Sequence, residues 1–102
     1  MGNGVKCLEC DYEFSENEKR AAGIAILVMG DEYIYSYWYC TKCKLYSIES
    51  YHDRFMGEDS ITFMGPFPKE VGDRCVALVK KCPDPMDKHC DCESHKALYH
   101  GL

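Results

Sequence analysis

The sequence lacks a hydrophobic segment long enough to cross a membrane. Its longest apolar run covers residues 21–29, whereas a bilayer-spanning helix needs about 20 apolar residues. Residues 1–6 also lack a charged stretch followed by an apolar core, so they do not resemble a secretory signal. We therefore expect no membrane partner and a reducing, cytoplasmic location, in which closely spaced cysteines favour metal binding over disulfides.

The sequence is also short of positive charge. It contains 12 Lys and Arg residues against 17 Asp and Glu residues, for a formal net charge of -5. Such a surface disfavours nucleic acid as a partner, because neutralisation of phosphates dominates that kind of binding. Basic residues near the second cysteine pair, Lys42, Lys44 and Arg54, keep nucleic-acid recognition as an alternative.

Familiar catalytic patterns are missing as well. The chain shows no Ser-His-Asp arrangement, no phosphate-binding glycine loop and no paired-carboxylate motif, and no internal repeat beyond its two C-x-x-C motifs. We therefore assign no catalytic residue and favour a non-enzymatic role, with a hydrolytic enzyme as a weaker alternative.

Cysteine, in contrast, is abundant, with eight in 102 residues. Four of them form two C-x-x-C motifs, Cys7 with Cys10 and Cys40 with Cys43, separated by residues 11–39. Two such turns facing each other supply four thiolates to a tetrahedral ion, about 2.3 Å from a zinc. A chain of this length builds only a modest hydrophobic core, so metal ions would add needed stability. The sequence predicts a metal site at these four cysteines.

Residues 7–14 (CLECDYEF) and 38–40 (WYC) resemble the two knuckles of rubredoxin-like and zinc-ribbon proteins. The resemblance covers only the first half of the chain. It implies the four cysteines as metal ligands and, for a rubredoxin, a one-electron iron centre. Rubredoxins carry glycine where this chain has Asp11 and Lys44, and proline where it has Thr41, so we favour zinc over iron.

Alternating and β-branched residues predict an antiparallel sheet in the middle of the chain. Strands are expected at residues 24–29 and 32–39, joined by a turn at Gly30-Asp31, and then at 44–52 and 60–64. A further hairpin at residues 5–14 would carry the first cysteine pair. The second strand places four tyrosines on one face, which we interpret as packing rather than as a binding surface: Tyr33, Tyr35, Tyr37 and Tyr39.

Residues 65–68 (GPFP) are expected to end the strands, and a helix is predicted over residues 68–82. Its apolar side chains recur at helical spacing: Val71, Cys75, Leu78, Val79 and Cys82. The predicted fold class is α+β, a zinc-ribbon or rubredoxin-like antiparallel β-sheet with one C-terminal helix and a second small metal-binding loop. We divide the chain into a β-rich double-knuckle region, 1–65, and a helix with a Cys/His tail, 66–102, packed as one domain.

A second cysteine and histidine cluster lies in the C-terminal tail. The preferred ligands are one cysteine at the helix end, a Cys-x-Cys turn and a following histidine: Cys82, Cys90, Cys92 and His95. His89 is the substitute if His95 is not a ligand, and Cys75 is interpreted as a buried thiol that packs as a small hydrophobe.

Two alternatives apply to this tail. An iron–sulfur cluster would use the four cysteines Cys75, Cys82, Cys90 and Cys92. A catalytic zinc would need an open coordination position and an acid or base, for which Glu93 or Asp91 is the candidate. A closed structural site explains four good ligands more simply. We therefore expect a small protein with two structural zinc ions and a protein partner, and keep an iron-containing electron carrier and a nucleic-acid-binding zinc ribbon as alternatives.

Overall fold

The structure is a computed structural model that describes residues 2–10, 12–15, 20–53, 57–90 and 92–99. In chain order it contains six strands and two helices: β1 (Gly2–Lys6), β2 (Glu13–Ser15), β3 (Ala22–Val28), β4 (Asp31–Cys40), β5 (Leu45–Asp53), β6 (Ser60–Pro68), α1 (Lys69–Lys81) and α2 (Glu93–Ala97). The last four strands form an antiparallel sheet in the order β3-β4-β5-β6, and β1 pairs with β2 in a separate hairpin. The predicted α+β class is confirmed, but the tail contains a second short helix, α2, where a single C-terminal helix followed by a metal-binding loop was predicted.

The turn between β3 and β4 lies one residue earlier than predicted. Val28 pairs directly with Asp31, which leaves Met29 and Gly30 as the two turn residues. Both have positive φ, 50° and 92° respectively, as a type I′ hairpin turn requires. The glycine therefore occupies the second turn position, and Asp31 already belongs to the strand.

The main core lies between the sheet and α1. Tyr35 and Tyr37 on the central strand β4 are buried there, and Tyr33 and Tyr39 pack at its margin. The interpretation of these tyrosines as packing residues is thus confirmed. Helix α1 contributes Cys75, Val76 and Val79, and α2 is followed by the fully buried Leu98. Neither helix is long and apolar enough to cross a membrane within the described part of the chain.

Strand β6 is longer than predicted. It was expected to stop before Gly65, but it continues to Pro68, with a shift of register between Tyr46 and Ile48 of the partner strand β5. Gly65 has a φ of 121°, a backbone conformation that glycine adopts at little cost. Because β6 is an edge strand, its prolines can occupy positions at which a missing N–H removes no bond of the ladder.

Gly72 allows α1 to lie directly against the ring of Tyr46. A Cβ atom at this position would overlap that ring, which is buried and whose hydroxyl donates a 2.8 Å hydrogen bond to Asp73.

We expect Gly72→Ala to lower the free energy of unfolding by about 1–3 kcal/mol, because overpacking outweighs the gain in helix propensity. Denaturant unfolding measures this loss. Lys80→Ala, at an exposed position of the same helix, should change stability by less than about 0.5 kcal/mol, and equal effects of the two variants would contradict the role of Gly72.

Candidate metal centres

The first cysteine pair lies on the turn between β1 and β2. Cys7 donates a 2.8 Å backbone hydrogen bond to the carbonyl of Tyr12, which closes the turn. The backbone N–H of Leu8 donates to the hydroxyl of Ser47 on β5 at 3.1 Å. This bond fixes the small hairpin against the four-stranded sheet.

The second cysteine pair lies on the turn between β4 and β5. Cys40 is the last residue of β4, and its carbonyl accepts a 2.8 Å hydrogen bond from the N–H of Lys44. The ladder between β4 and β5 begins at the pair Cys40 and Leu45. The sheet therefore fixes the position of this knuckle.

The structure brings the sulfur atoms of both pairs together. Cys7 Sγ lies 3.2 Å from Cys43 Sγ, and Cys10 Sγ lies 3.7 Å from Cys40 Sγ. All four sulfurs lie within 4.8 Å of one another. A tetrahedron with bonds of about 2.3 Å has edges of about 3.8 Å, whereas a disulfide needs about 2.05 Å. These four cysteines could hold one metal ion.

The thiols of the first cluster differ in pKa. Burial opposes the thiolate of Cys7, but the backbone N–H groups of Cys10 and Glu9 and the contact with Cys43 outweigh it and lower the pKa of Cys7 to about 7. Burial and contacts with the neighbouring thiols raise the pKa of Cys43 to about 12. Four thiolates in this space need a compensating cation, which a metal ion supplies.

A small aromatic core surrounds the first cluster. Cys7 and Cys40 are buried together with Phe14 and Trp38, whose ring centroids lie 5.2 Å apart. Tyr12 packs edge-on against Phe14 at 5.5 Å. The aromatics at positions 14 and 38 belong to the stretches that resemble rubredoxin knuckles. Asp11, one of the two positions at which the chain departs from glycine, lies outside the described residues.

Lys44 is the second position at which rubredoxins carry glycine. It adopts a left-handed backbone conformation, with a φ of 56°. This conformation costs a non-glycine residue about 1 kcal/mol or more. We expect Lys44→Gly to raise the free energy of unfolding of the metal-loaded protein by about 1 kcal/mol. Thiol-protected denaturant unfolding would measure the change.

The matched control for this substitution is Thr41→Gly in the same turn. Thr41 is exposed and does not have a positive φ, so glycine there should destabilise by about 0.4–1 kcal/mol through the entropy of the unfolded chain. If both glycine variants lost stability equally, the left-handed conformation would carry no cost at position 44.

The second cluster forms where α1 ends and α2 begins. Cys82 caps the C-terminus of α1, with its N–H bonded to the carbonyl of Val79 at 3.0 Å. Cys92 is the N-cap residue of α2, and His95 lies within that helix. The loop between the helices returns Cys90 to the same place through a 3.0 Å bond from its N–H to the carbonyl of Asp87.

Donor atoms from these four residues also converge. Cys82 Sγ lies 3.7 Å from Cys90 Sγ and 3.4 Å from Cys92 Sγ. Nδ1 of His95 lies 3.3 Å from the sulfur of Cys82 and 3.4 Å from that of Cys92. The four donor atoms lie within 4.8 Å of one another. Three thiols and one imidazole could therefore hold a second metal ion.

The thiols of the second cluster also differ in pKa, because their hydrogen bonding and burial differ. The backbone N–H and the imidazole of His95 lower the pKa of Cys92 to about 6. Burial and the two neighbouring thiols raise the pKa of Cys82 to about 12. Nδ1 of His95 faces the sulfurs of Cys82 and Cys92 and is therefore the nitrogen available to a metal ion, whereas Nε2 is buried and has no hydrogen-bond partner among the described residues.

The remaining candidates of the tail lie apart from this cluster. His89 is exposed, and Cys75 is buried in the main core beneath the sheet. Neither belongs to the groups of ligating side chains found among the described residues. An iron–sulfur cluster that includes Cys75 therefore has no support in this arrangement.

The acidic and basic candidates add little to the site. Glu93 is exposed and outside the cluster, while Asp91 and Arg54 lie outside the described residues. The Nζ atom of Lys42 lies 4.5 Å above the ring of Tyr12. Ser47, which anchors the first knuckle, gave no signal in the sequence, because only the tertiary structure places its hydroxyl next to Leu8.

The chain matches no protein-family model, no curated protein and no solved structure. Its function must therefore be inferred from the two clusters and the surfaces around them.

Proposed function

We propose that this chain is a small zinc-binding protein with one structural zinc ion in each cluster, and that it acts through contacts with another protein. The observation that carries the proposal is the presence of two complete four-donor sets, each within 4.8 Å. Four thiolates, or three thiolates and an imidazole, are ligand sets of structural zinc sites. A fourth protein ligand closes the position that a catalytic zinc keeps open.

The position of each cluster supports a structural role. The first cluster joins the β1–β2 hairpin to the β4–β5 turn, and the second joins the end of α1 to α2. The first ion would therefore cross-link segments that are distant in sequence, and the second would close the short loop between the two helices. In small domains, such metal binding contributes directly to the free energy of folding.

Elemental analysis combined with an absorption spectrum tests the metal content. We expect close to two zinc equivalents per chain and no visible absorbance in protein purified without chelators. A chelator should then unfold the protein. A total of less than one metal per chain would contradict the proposal.

An iron-containing electron carrier is the second candidate. It is favoured by the all-thiol donor set of the first cluster and by the aromatic residues Phe14 and Trp38 around it, which match the rubredoxin-like stretches. Protein from iron-replete cells would then be red and would bleach reversibly on reduction. A colourless product under those conditions rejects this candidate.

An exposed apolar patch supports the choice of a protein as partner. Ile61 is 55% exposed and Phe63 is 39% exposed on the edge strand β6. Ile61 pairs with Tyr51, which pairs with Ile34, so the three side chains form a row on the sheet face opposite α1. Exposed apolar patches of this kind often mark protein interfaces.

A photo-crosslinking residue at position 61 tests this surface in cells. We expect it to yield a discrete protein adduct, whereas the same residue at the exposed position 80 on α1 should not. Identical adducts from both positions, or none from position 61, would remove this support for a protein partner.

A further inference from the structure

A cleft of about 170 Å³ lies beside the second cluster, between β3 and α2. It is lined by two lysines, three largely apolar side chains and two residues of the cluster: Lys88, Lys96, Ile26, Leu27, Tyr99, Cys90 and His95. Among the described residues no acidic side chain lines it, although the chain as a whole has a net charge of -5. The cleft therefore combines apolar walls with two lysines, one of which is paired with Glu32 outside the lining.

Both lysines retain donors for a ligand. Lys88 forms an ion pair with Glu32, but the distance from Nζ to Oε1 is 3.9 Å, which is longer than a hydrogen bond, so its N–H groups are not used by this contact. In the described part of the chain the ammonium group of Lys96 has no ion-pair or hydrogen-bond partner. Two ammonium groups at one cleft provide charge-assisted hydrogen bonds to an anion.

The open edge of β3 adds a backbone donor. The N–H of Ala25 donates to the carbonyl of Pro85 at 2.8 Å, so this N–H points away from the neighbouring strand β4. In an antiparallel ladder, backbone groups two residues apart point to the same side. The N–H of Leu27 therefore lies on the same open edge, at a residue that lines the cleft.

We propose that this cleft binds a small organic anion, whose carboxylate contacts Lys88 and Lys96 and whose apolar body packs against Ile26, Leu27 and Tyr99. The cleft is smaller than the roughly 300–1,000 Å³ of cavities that enclose drug-sized ligands, so the ligand is a short carboxylate. The apolar walls distinguish this ligand from an inorganic anion, which gains nothing from them.

Amide-resolved NMR titration of the metal-loaded protein with benzoate tests the proposal. Benzoate should cause saturable chemical-shift changes at the amides of Leu27, Lys96 and Tyr99. Benzamide, which lacks the charge, should bind at least about tenfold more weakly than benzoate. Inorganic phosphate, which lacks the apolar body, should also bind more weakly. Equal binding of benzamide, equal binding of phosphate, or an absence of shifts at the cleft would each overturn the proposal.

Substitutions at the lysines give an independent measurement. Lys88→Met and Lys96→Met should each weaken benzoate binding by about tenfold, and Lys96→Arg should restore most of the affinity. Lys80→Met, at an exposed position on α1, is the matched control and should leave affinity unchanged. Unchanged affinity of both cleft variants would overturn the proposal.

Metal content is measured in every sample, because Cys90 and His95 form part of the cleft wall. The anion site rests on the shape and charge of the cleft and not on the identity of the ion. A sample with few zinc equivalents that still binds benzoate selectively would contradict the zinc proposal and leave the anion site intact.

Discussion

Replacing Cys40 with serine should remove one of the two proposed zinc ions and separate the β1–β2 hairpin from the sheet. Cys40 is buried and lies in the first cluster. Structural zinc contributes about 10–16 kcal/mol of apparent binding free energy in small zinc-finger peptides, which is comparable to the about 5–15 kcal/mol that stabilises a whole domain. Loss of this ion should therefore be among the most damaging single changes in the chain.

The expected result is about one zinc equivalent by elemental analysis, with a large loss of stability in denaturant. Amide hydrogen exchange should rise in β1 and β2, because the described contacts that then hold them to the sheet are weak ones, such as the aromatic contact between Phe14 and Trp38 and the bond from Leu8 to Ser47. Helix α1, which packs on the other face, should be affected less.

Cys75→Ala is the matched control for this experiment. Cys75 is as buried as Cys40, but it lies in the main core and outside both clusters. The control should keep two zinc equivalents and lose only about 1–2 kcal/mol of stability, as expected for a small cavity. A Cys40→Ser protein that kept two equivalents would contradict the proposed first site.

Local sequence features predicted the parts of the fold that depend on neighbouring residues. The C-x-x-C spacing placed each cysteine pair on a tight turn, and the strands between them brought the two turns together. The alternation of tyrosines in β4 placed them on one face of the sheet, because side chains on a strand alternate between faces, and the structure shows that α1 covers this face. The same periodicity placed Cys40 with Trp38 on the opposite face, beside the first knuckle.

Features that depend on distant contacts were predicted less well. Strand β6 continues past Gly65 and Pro66 because it lies at the edge of the sheet, a position that the sequence does not reveal. The close approach of α1 at Gly72 depends on the ring of Tyr46 from another strand. The cleft beside the second cluster likewise combines β3 with the tail, so its two lysines were not recognised as a pair.

The second cluster has a less regular spacing than the first, and the geometry favours His95 over His89 as a metal ligand. His95 is buried with Nδ1 beside two cysteine sulfurs, whereas His89 is exposed. His95→Ala should weaken binding of the proposed second zinc ion so far that the ion is lost. Removing a residue that only hydrogen-bonds to a metal ligand costs roughly 10–100-fold in affinity, and loss of a ligand itself should cost more. Leu98, which follows α2 and is fully buried in the main core, should then lose protection from hydrogen exchange.

Two further histidine variants separate loss of a ligand from loss of packing at this position. His95→Cys supplies a thiolate in place of the imidazole and should keep two zinc equivalents, since four cysteines also form structural zinc sites. It also removes Nε2, which is buried without a partner among the described residues. His89→Ala should leave metal content and exchange unchanged. If His89→Ala lost one ion and His95→Ala kept both, His89 would be the ligand and the assignment of His95 would be wrong.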